Sequence, residues 1–319
     1  YQRRVRGMIR NVENIIIETK ERILHTQFVD NEVYFSTEER KFIQSENRRF
    51  SQFTFPDPIL EFEIFPDVTF VRTLFSIFVI HGNKQCPLTT EKTFVLDFSV
   101  HQLQPGQYSV VRMSNDFDKL SHSVDAYMVQ LQPNDQISLK RRDDAQIINP
   151  PQQKNTMVQK QTRIFSLPQQ RLLIVAKGRD SQGVLYWFYR DNQKIKPQSK
   201  YIVPYVENEF SAMFAIQDKF FISYDGLLHY CSVAELNDSA DSKNPQPLKM
   251  THSMVAPAID VFYLKGENLF LGCGEVLLAL KMADLDGRCA DITQVAEKVV
   301  YQKKILGLNW DGDSLIVIQ

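Results

Sequence analysis

The sequence feature that most limits the possible folds is a recurrence of short apolar runs, each bounded by turn-forming residues. The runs are rich in β-branched and aromatic residues, which favour strands. The centres of seven runs are Tyr34, Ile77, Met128, Leu173, Phe221, Phe270 and Ile316. Successive centres lie 43, 51, 45, 48, 49 and 46 residues apart. A strand-based period of this length indicates a repeat architecture in which each repeat forms one small sheet.

The residues around each central run predict further strands. A second apolar run and a turn come before the centre, as in residues 213–216 followed by Gln217 and Asp218. A third strand follows it, and the Asp-Gly pair within residues 224–226 favours a tight hairpin. Longer polar stretches, such as residues 191–199 and 237–247, are predicted to be loops between third and fourth strands. Each repeat therefore supplies four strands.

In spacing and strand content the chain resembles a divergent seven-bladed β-propeller of the WD-repeat type. The resemblance covers residues 1–319, which we expect to form a single all-β domain, because stacked sheets bury faces that one sheet cannot. The residues diagnostic of WD repeats are missing. There is no Gly-His pair, and the one Trp-Asp pair, Trp310 and Asp311, precedes a second strand instead of ending a third. The resemblance therefore implies a fold and carries no functional residue.

Residues 1–22 decide how such a ring would close. The sequence ends after the second strand of the seventh repeat, so we expect residues 4–11 and 15–20 to form a hairpin around Glu13 and Asn14 that completes the last blade. The alternative is a helix followed by the propeller. Its apolar face would consist of Val5, Met8, Ile9, Val12 and Ile16. We favour the strands, because Gly7 lowers helix propensity and an unclosed blade leaves backbone groups unpaired.

Composition excludes several classes of protein. A hydrophobic content of 43% excludes a disordered chain, and 37 Lys+Arg against 38 Asp+Glu disfavour nucleic acid or an acidic membrane as partner. No apolar run approaches the ~18 residues needed to span a bilayer. Four scattered cysteines without a C-x-x-C pair indicate free thiols, so we expect a cytoplasmic location. Because the sequence starts at Tyr1 without Met, we expect it to be part of a larger chain or assembly.

No pattern of residues predicts a catalytic, cofactor or metal site. Neither His229 with Cys231 nor His81 with Cys86 has the second pair that a zinc site needs. The G-x-S-x-G and phosphate-loop patterns are absent. Cys273, between two glycines, is interpreted as part of a tight turn. Acidic pairs fall in predicted loops, where they are usually solvated turn residues. These pairs are Asp116 with Asp118, Asp143 with Asp144, and Asp311 with Asp313.

The sequence therefore favours a non-catalytic scaffold that binds a protein or peptide through loops on a rigid ring. The candidate contact residues are basic and aromatic positions in predicted loops: Arg141, Arg142, Lys194, Lys196 and Tyr201. The alternative is a propeller-type hydrolase that acts on glycans or peptides in the central channel. An enzyme predicts acids with shifted pKa values in one deep pocket, whereas a binding protein predicts an exposed apolar patch.

Overall fold

The structure is a computed structural model of the chain. It describes residues 12–17, 20–29, 32–46, 49–91, 93–116, 121–142, 146–148, 163–167, 171–177, 183–191, 194–202, 212–224, 226–233, 246–247, 250–285, 290–311 and 314–319. These residues form 29 strands arranged in seven sheets, with one 3-10 turn and one short helix. The predicted all-β class is confirmed.

Strand β1 (Val12–Ile15) belongs to the last sheet of the chain, sheet 7. Sheet 1 has the order β2-β3-β4-β5. Its strands are β2 (Ile23–Val29), β3 (Glu32–Thr37), β4 (Lys41–Glu46) and β5 (Arg49–Thr54). Sheet 2 has the order β6-β7-β8-β9. Its strands are β6 (Ile59–Phe65), β7 (Val68–Thr73), β8 (Ile77–His81) and β9 (Lys84–Pro87). Both sheets are antiparallel meanders, as the repeat predicts.

Sheets 3 and 4 each carry a fifth strand. Sheet 3 has the order β10-β11-β12-β13, and β14 also pairs with β12. Its strands are β10 (Phe94–Gln104), β11 (Gln107–Asp116), β12 (Ser121–Gln132), β13 (Gln136–Arg141) and β14 (Gln146–Ile148). Sheet 4 has the order β15-β16-β17-β18-β22. Its strands are β15 (Arg163–Leu167), β16 (Arg171–Lys177), β17 (Gly183–Asp191), β18 (Lys194–Ile202) and, from farther along the chain, β22 (Gln246–Pro247).

Sheets 5 and 6 are again four-stranded. Sheet 5 has the order β19-β20-β21-β23. Its strands are β19 (Ala212–Ile216), β20 (Lys219–Tyr224), β21 (Leu227–Ser232) and β23 (His252–Val255). Sheet 6 has the order β24-β25-β26-β27. Its strands are β24 (Val261–Lys265), β25 (Asn268–Cys273), β26 (Val276–Lys281) and β27 (Glu297–Val300). The 3-10 turn Met282–Leu285 and helix α1 (Ile292–Val295) connect β26 to β27.

Sheet 7 joins the two ends of the described chain. Strands β28 (Gly307–Asp311) and β29 (Ser314–Ile318) form an antiparallel pair, and β1 lies on the other side of β29. β1 runs parallel to β29, with Val12 opposite Leu315 and Ile15 opposite Ile318. The amide of Gln319 donates to the Ile15 carbonyl at 3.0 Å, and the amide of Ile17 donates to the Gln319 carbonyl at 3.3 Å.

The expected hairpin around Glu13 and Asn14 is wrong. Both residues lie inside β1 with exposed side chains, and no turn occurs there. The helical alternative is also wrong for residues 12–15, which are extended; residues 4–11 lie outside the described residues. The physical reason is the partner: β29 supplies the missing hydrogen bonds from another part of the chain, so β1 needs neither a local turn nor helical bonding.

The first strand of each sheet lies against a neighbouring sheet. β2 contacts β28 on one side and β6 on the other, β15 contacts β10 and β19, and β24 contacts β28. β10 also contacts β7, which links sheets 2 and 3. Between sheets 5 and 6, the rings of Phe214 and Phe262 stack with centroids 4.4 Å apart. The seven sheets therefore follow one another in space in the order of the sequence.

The hydrophobic core consists of layers between neighbouring sheets. Phe42 and Phe62 meet edge to face between sheets 1 and 2, with centroids 5.0 Å apart. Phe70 and Tyr108 do the same between sheets 2 and 3, at 5.6 Å. Side chains of this size that are fully buried stabilise the fold by about 1.5–3 kcal/mol each. No single sheet could bury its apolar faces without its neighbours.

The predicted run centres fall on two different strands of the repeat. Five lie on second strands, but Ile77 lies on β8 and Met128 on β12, which are third strands. In sheet 2 every residue of β7 and the first four of β8 are buried, but β8 has the longer apolar run, because β7 includes Arg72 and two threonines. Hydrophobicity alone therefore cannot assign the centre.

In the described parts of the chain, no helix has the length and apolar character of a membrane span.

Candidate functional site

The first strands of sheets 1, 2, 6 and 7, together with residues that lead into β24 and β28, surround a cavity of about 730 Å³, here called the inner cavity. Two apolar side chains in its wall are unusually exposed, Leu24 on β2 (37%) and Phe262 on β24 (40%). The charged residues of the wall include Glu61, Asp260 and Lys304. The volume is in the range of small-molecule and side-chain pockets.

The carboxylates in the wall of the inner cavity are both held in ion pairs. Lys304 Nζ donates to Asp260 Oδ1 at 2.8 Å, and the amide of Gly274 donates to Asp260 Oδ2, also at 2.8 Å. Glu61 Oε2 lies 3.2 Å from a guanidinium nitrogen of Arg72 and 3.4 Å from one of Arg163. These groups are therefore already neutralised by the protein.

Glu61 belongs to a larger group of charges, here called the inner ion cluster, formed with Arg72, Asp97 and Arg163. Asp97 is buried, with guanidinium nitrogens of Arg163 and Arg72 at 3.7 Å and 3.9 Å from its Oδ1. Arg72 also donates to the Leu96 carbonyl at 2.8 Å. The four residues come from β6, β7, β10 and β15, so the cluster links sheets 2, 3 and 4.

A shared backbone irregularity positions the acids of the cluster. The pairing of β6 skips a residue between Ile59 and Glu61, and that of β10 skips one between Val95 and Asp97. β2 has the same irregularity before His25. Such a bulge changes the direction in which the following residue faces. His25, Glu61 and Asp97 therefore occupy equivalent positions on three consecutive first strands.

The sequence carries a signal for this arrangement that the analysis of strand centres missed. The residues at the three bulges read Ile-Leu-His, Ile-Leu-Glu and Val-Leu-Asp. They begin at residues 23, 59 and 95, so both intervals are 36 residues (59 − 23 and 95 − 59). A β-branched residue, leucine and a titratable residue at constant spacing would have indicated equivalent polar positions on successive first strands.

The environment separates the pKa values of the acids. For Glu61, burial is outweighed by the charges of Arg72 and Arg163, which lower its pKa. Burial, reinforced by the nearby charge of Glu61, raises the pKa of Asp97 to about 7. Burial and the carboxyls of Glu61 and Asp97 also raise the pKa of Glu63 well above its ordinary value. His25 has its pKa lowered by burial, so its neutral form is favoured.

The first two predicted contact residues lie on sheet 3. Arg141 is the last residue of β13, not a loop residue, and Arg142 follows it. Arg141 donates to Asp125 Oδ1 at 2.9 Å and lies 3.5 Å from Glu91, while 47% of its side chain stays exposed. Asp125 also binds the buried Arg112. Arg141 therefore takes part in an ion network that crosses β11, β12 and β13.

The other three predicted contact residues lie on β18 of sheet 4, so their assignment to a loop is wrong. Residues 191–199, predicted to be a loop, belong mainly to β17 and β18. In the pairing of the two strands, Lys194 lies opposite Asp191, Lys196 opposite Tyr189, and Tyr201 opposite Leu185. A bulge opposite Trp187 and Phe188 shifts the alternation of β18. Lys194, Lys196 and Tyr201 are therefore strand residues of sheet 4.

The weaker sequence candidates have structural roles where they are described. His81 Nδ1 lies 2.7 Å from the Asp67 carbonyl, and burial lowers the pKa of His229. Cys273 ends β25 before a tight turn at Gly274 (φ 62°), as predicted, and burial followed by the charge of Asp260 raises its pKa to about 12. The described residues contain no group of three or more metal-binding side chains.

The acidic pairs are only partly described. Asp116 and Asp311 each end a strand, β11 and β28. Asp118, Asp313 and the pair Asp143–Asp144 lie outside the described residues, as does Cys289.

No protein-family model and no curated protein matches the sequence. Solved structures do match. The computationally designed Ika8 protein has a TM-score of 0.55 at 8% identity, with 96% of each chain covered. BBS1N, solved in complex with ARL6DN, has a TM-score of 0.51 at 11% identity, covering 90% of this chain and 83% of that one. The AfRom2 CNH domain has a TM-score of 0.50 at 8% identity, covering 93% and 90%.

BBS1N and the CNH domain are propeller-like domains. The chain has a propeller-like fold. At these identities the likeness concerns the fold alone, because function depends on sites and not on architecture.

Proposed function

We propose that the chain is a closed seven-bladed propeller that binds a protein or peptide partner and catalyses no reaction. Seven consecutive sheets and the pairing of β1 with β29 support the closed ring. Solution scattering should give a radius of gyration of about 20 Å, the value for a compact chain of this length. A clearly larger radius would contradict the ring.

The observation that carries the non-catalytic role is the state of the acids around the inner cavity. The two carboxylates that face it, Glu61 and Asp260, are paired with basic groups. The acids with raised pKa values, Glu63 and Asp97, do not line it. A general acid must reach the substrate. The charge pattern is therefore that of a structural ion cluster.

We propose that the partner contacts sheets 3 and 4 through Arg141, Arg142, Lys194, Lys196 and Tyr201. The set carries four positive charges and one aromatic ring, which suits an acidic protein or peptide segment. BBS1N, a propeller-like domain with a similar fold, was solved in complex with another protein. The scattered cysteines support a cytoplasmic location, where we place this interaction, as part of a larger assembly.

The contact surface is tested with two variants of equal charge change. Lys194→Glu with Lys196→Glu reverses charge on the proposed surface, whereas Lys298→Glu with Lys303→Glu does so at exposed positions of sheet 6 and the segment after it. Arg141 is left unchanged because its replacement would break the ion network of sheet 3. A partner captured by the wild type is purified and its Kd measured. We expect about tenfold or greater weakening for the first variant only; equal affinities would contradict the surface.

The hydrolase alternative is favoured by one observation. Glu61, with a lowered pKa, faces the inner cavity while its neighbours Glu63 and Asp97 have raised values, and enzymes use such separations for acid–base catalysis. Chromogenic glycosides and fluorogenic peptides test it. Turnover by the wild type that is lost in Glu61→Gln would establish the enzyme and overturn the scaffold proposal.

A further inference from the structure

The buried carboxyl of Asp97 lies where three sheets meet. Its Oδ2 accepts a hydrogen bond of 2.6 Å from the amide of Ile164 on β15. The charged groups that face it are Glu61 and Glu63 from β6, Arg72 from β7 and Arg163 from β15. His25 on β2 lies beyond them and interacts with Glu61. Asp97 itself is only 1% exposed.

The second oxygen of Asp97 has no hydrogen-bond donor. Oδ1 is buried and unpaired, and the nearest guanidinium nitrogens, at 3.7 and 3.9 Å, are too far for a hydrogen bond. Glu61 Oε2 and Asp97 Oδ1, however, lie around the same two guanidinium nitrogens, at 3.2 and 3.9 Å from Arg72 Nη2 and at 3.4 and 3.7 Å from Arg163 Nη1, so the two carboxyls are close neighbours. Two ionised carboxylates only accept hydrogen bonds and repel each other. The contact becomes a hydrogen bond only when one of them carries a proton.

We propose that Glu61 and Asp97 form a proton-dependent connection between sheets 2 and 3, closed when the two carboxyls share a proton and weakened when the proton is lost. In the closed state the Asp97 hydroxyl donates to Glu61 while its other oxygen still accepts from Ile164. In the open state the two negative charges repel each other beside the two guanidinium groups, and that of Asp97 is buried. The inference is independent of the proposed partner, because it concerns only the inner ion cluster.

The pH range of this change follows from the pKa of Asp97. In the folded chain it is raised from the ordinary 3.8 to about 7. The folded state therefore holds the proton more tightly than the unfolded state. The resulting stabilisation is complete below the ordinary pKa and is lost as the pH rises through about 7. Near neutral pH a small change in acidity thus alters how firmly sheets 2 and 3 are joined.

The test compares the wild type with Asp97→Asn, whose amide group donates to Glu61 and whose carbonyl accepts from Ile164 at every pH. Between about pH 5.5 and about pH 8.5 the unfolding equilibrium constant should rise more for the wild type than for the variant. The rise of the wild type should exceed that of the variant by a factor on the order of tenfold. The protection factor of the Ile164 amide, which corrects for the base-catalysed rise of the intrinsic exchange rate, should fall over the same range in the wild type only.

The matched control is Asp125→Asn, a second buried aspartate held by arginines. It should lower stability at every pH and keep the wild-type pH dependence. If Asp97→Asn does not fold, Glu61→Gln provides the same permanent donor from the other side. Glu63, whose pKa is also raised, adds a pH dependence that the variants share with the wild type. If whichever of these two variants folds shows the same total pH dependence as the wild type, the proposal is overturned.

Discussion

At the scale of single residues, small side chains allow neighbouring strands to approach closely. A Cβ atom on Gly272 of β25 would lie 2.6 Å from Val261 Cγ2 and 3.1 Å from Ile305 Cγ2. Neither neighbour can move easily, because both are β-branched and packed in the layer between sheets 6 and 7. The sequence predicts a turn at the Gly-Cys-Gly segment of residues 272–274. The turn is at Gly274, whereas Gly272 is required for packing.

Gly272→Ala should therefore destabilise the protein by about 1–3 kcal/mol, the usual cost of overpacking a tight core. Chemical denaturation would measure it. Val261→Ala removes the obstructing methyl groups, so the double variant should lose less stability than the sum of the two single losses. Strictly additive losses would show that the contact with Val261 is not the cause.

Buried and exposed ion pairs should differ in their contribution to stability. Arg112 and Asp125 are each 1% exposed, and Arg112 also lies over the ring of Tyr127 with its guanidinium carbon 5.4 Å from the centroid. Removing Arg112 leaves the buried carboxylate of Asp125 with only the half-exposed Arg141 as a charged partner. Arg112→Met should therefore cost about 3 kcal/mol or more. Lys304→Met, which breaks the more exposed pair with Asp260, should cost less than about 1 kcal/mol.

At the scale of strands and sheets, the backbone groups of successive residues in β1 point to opposite sides of the strand. The neighbouring residues Glu13 and Asn14 therefore differ in the hydrogen bonds that their backbones make. Ile15 and Ile17 both bond to Gln319 through their backbone, so the odd-numbered residues of this segment direct their backbone groups to β29. Glu13 belongs to that set, whereas the amide of Asn14 faces the outer edge. The side chains of both are exposed.

Glu13→Pro should consequently lower stability by about 1–3 kcal/mol, because proline removes a ladder hydrogen bond. Asn14→Pro should cost less than half as much, since its amide donates nothing to β29. Thermal unfolding of the two variants side by side gives the comparison. Equal losses would mean that β1 is not held by this ladder.

Strand composition predicted the class of fold, and local turn chemistry predicted single hairpins such as β20–β21. Neither strand composition nor turn chemistry predicts which distant segments of the chain pair with each other. β1 finds its partner about 300 residues away, and the side chains of Glu13 and Asn14 give no sign of it. Asp97 was overlooked because it lies in an apolar strand, where only the constant spacing of the bulges distinguishes it.

At the scale of the whole molecule, the core layers shared between consecutive sheets make the sheets interdependent. Buried clusters extend across sheets 1 and 2, 2 and 3, 5 and 6, and 6 and 7. Phe28 of sheet 1 also packs with Ile316 and Ile318 of sheet 7. Loss of one sheet would expose the faces of two others.

We therefore expect a single unfolding transition in calorimetry. Gly272→Ala in sheet 6 and Arg112→Met in sheet 3 should each lower the midpoint of that one transition. The calorimetric and van't Hoff enthalpies should agree. Two separate transitions, each sensitive to only one of the variants, would show that the sheets form independent units.

The parallel direction of β1 and β29 also determines how the molecule responds to mechanical force. The chain enters sheet 7 beside Leu315 and leaves it beyond Ile318, at opposite ends of the same pair. A pull on the two ends slides the strands lengthwise and stretches all their hydrogen bonds together. An antiparallel pair of end strands would bring both ends to one side and separate one bond at a time, at lower force.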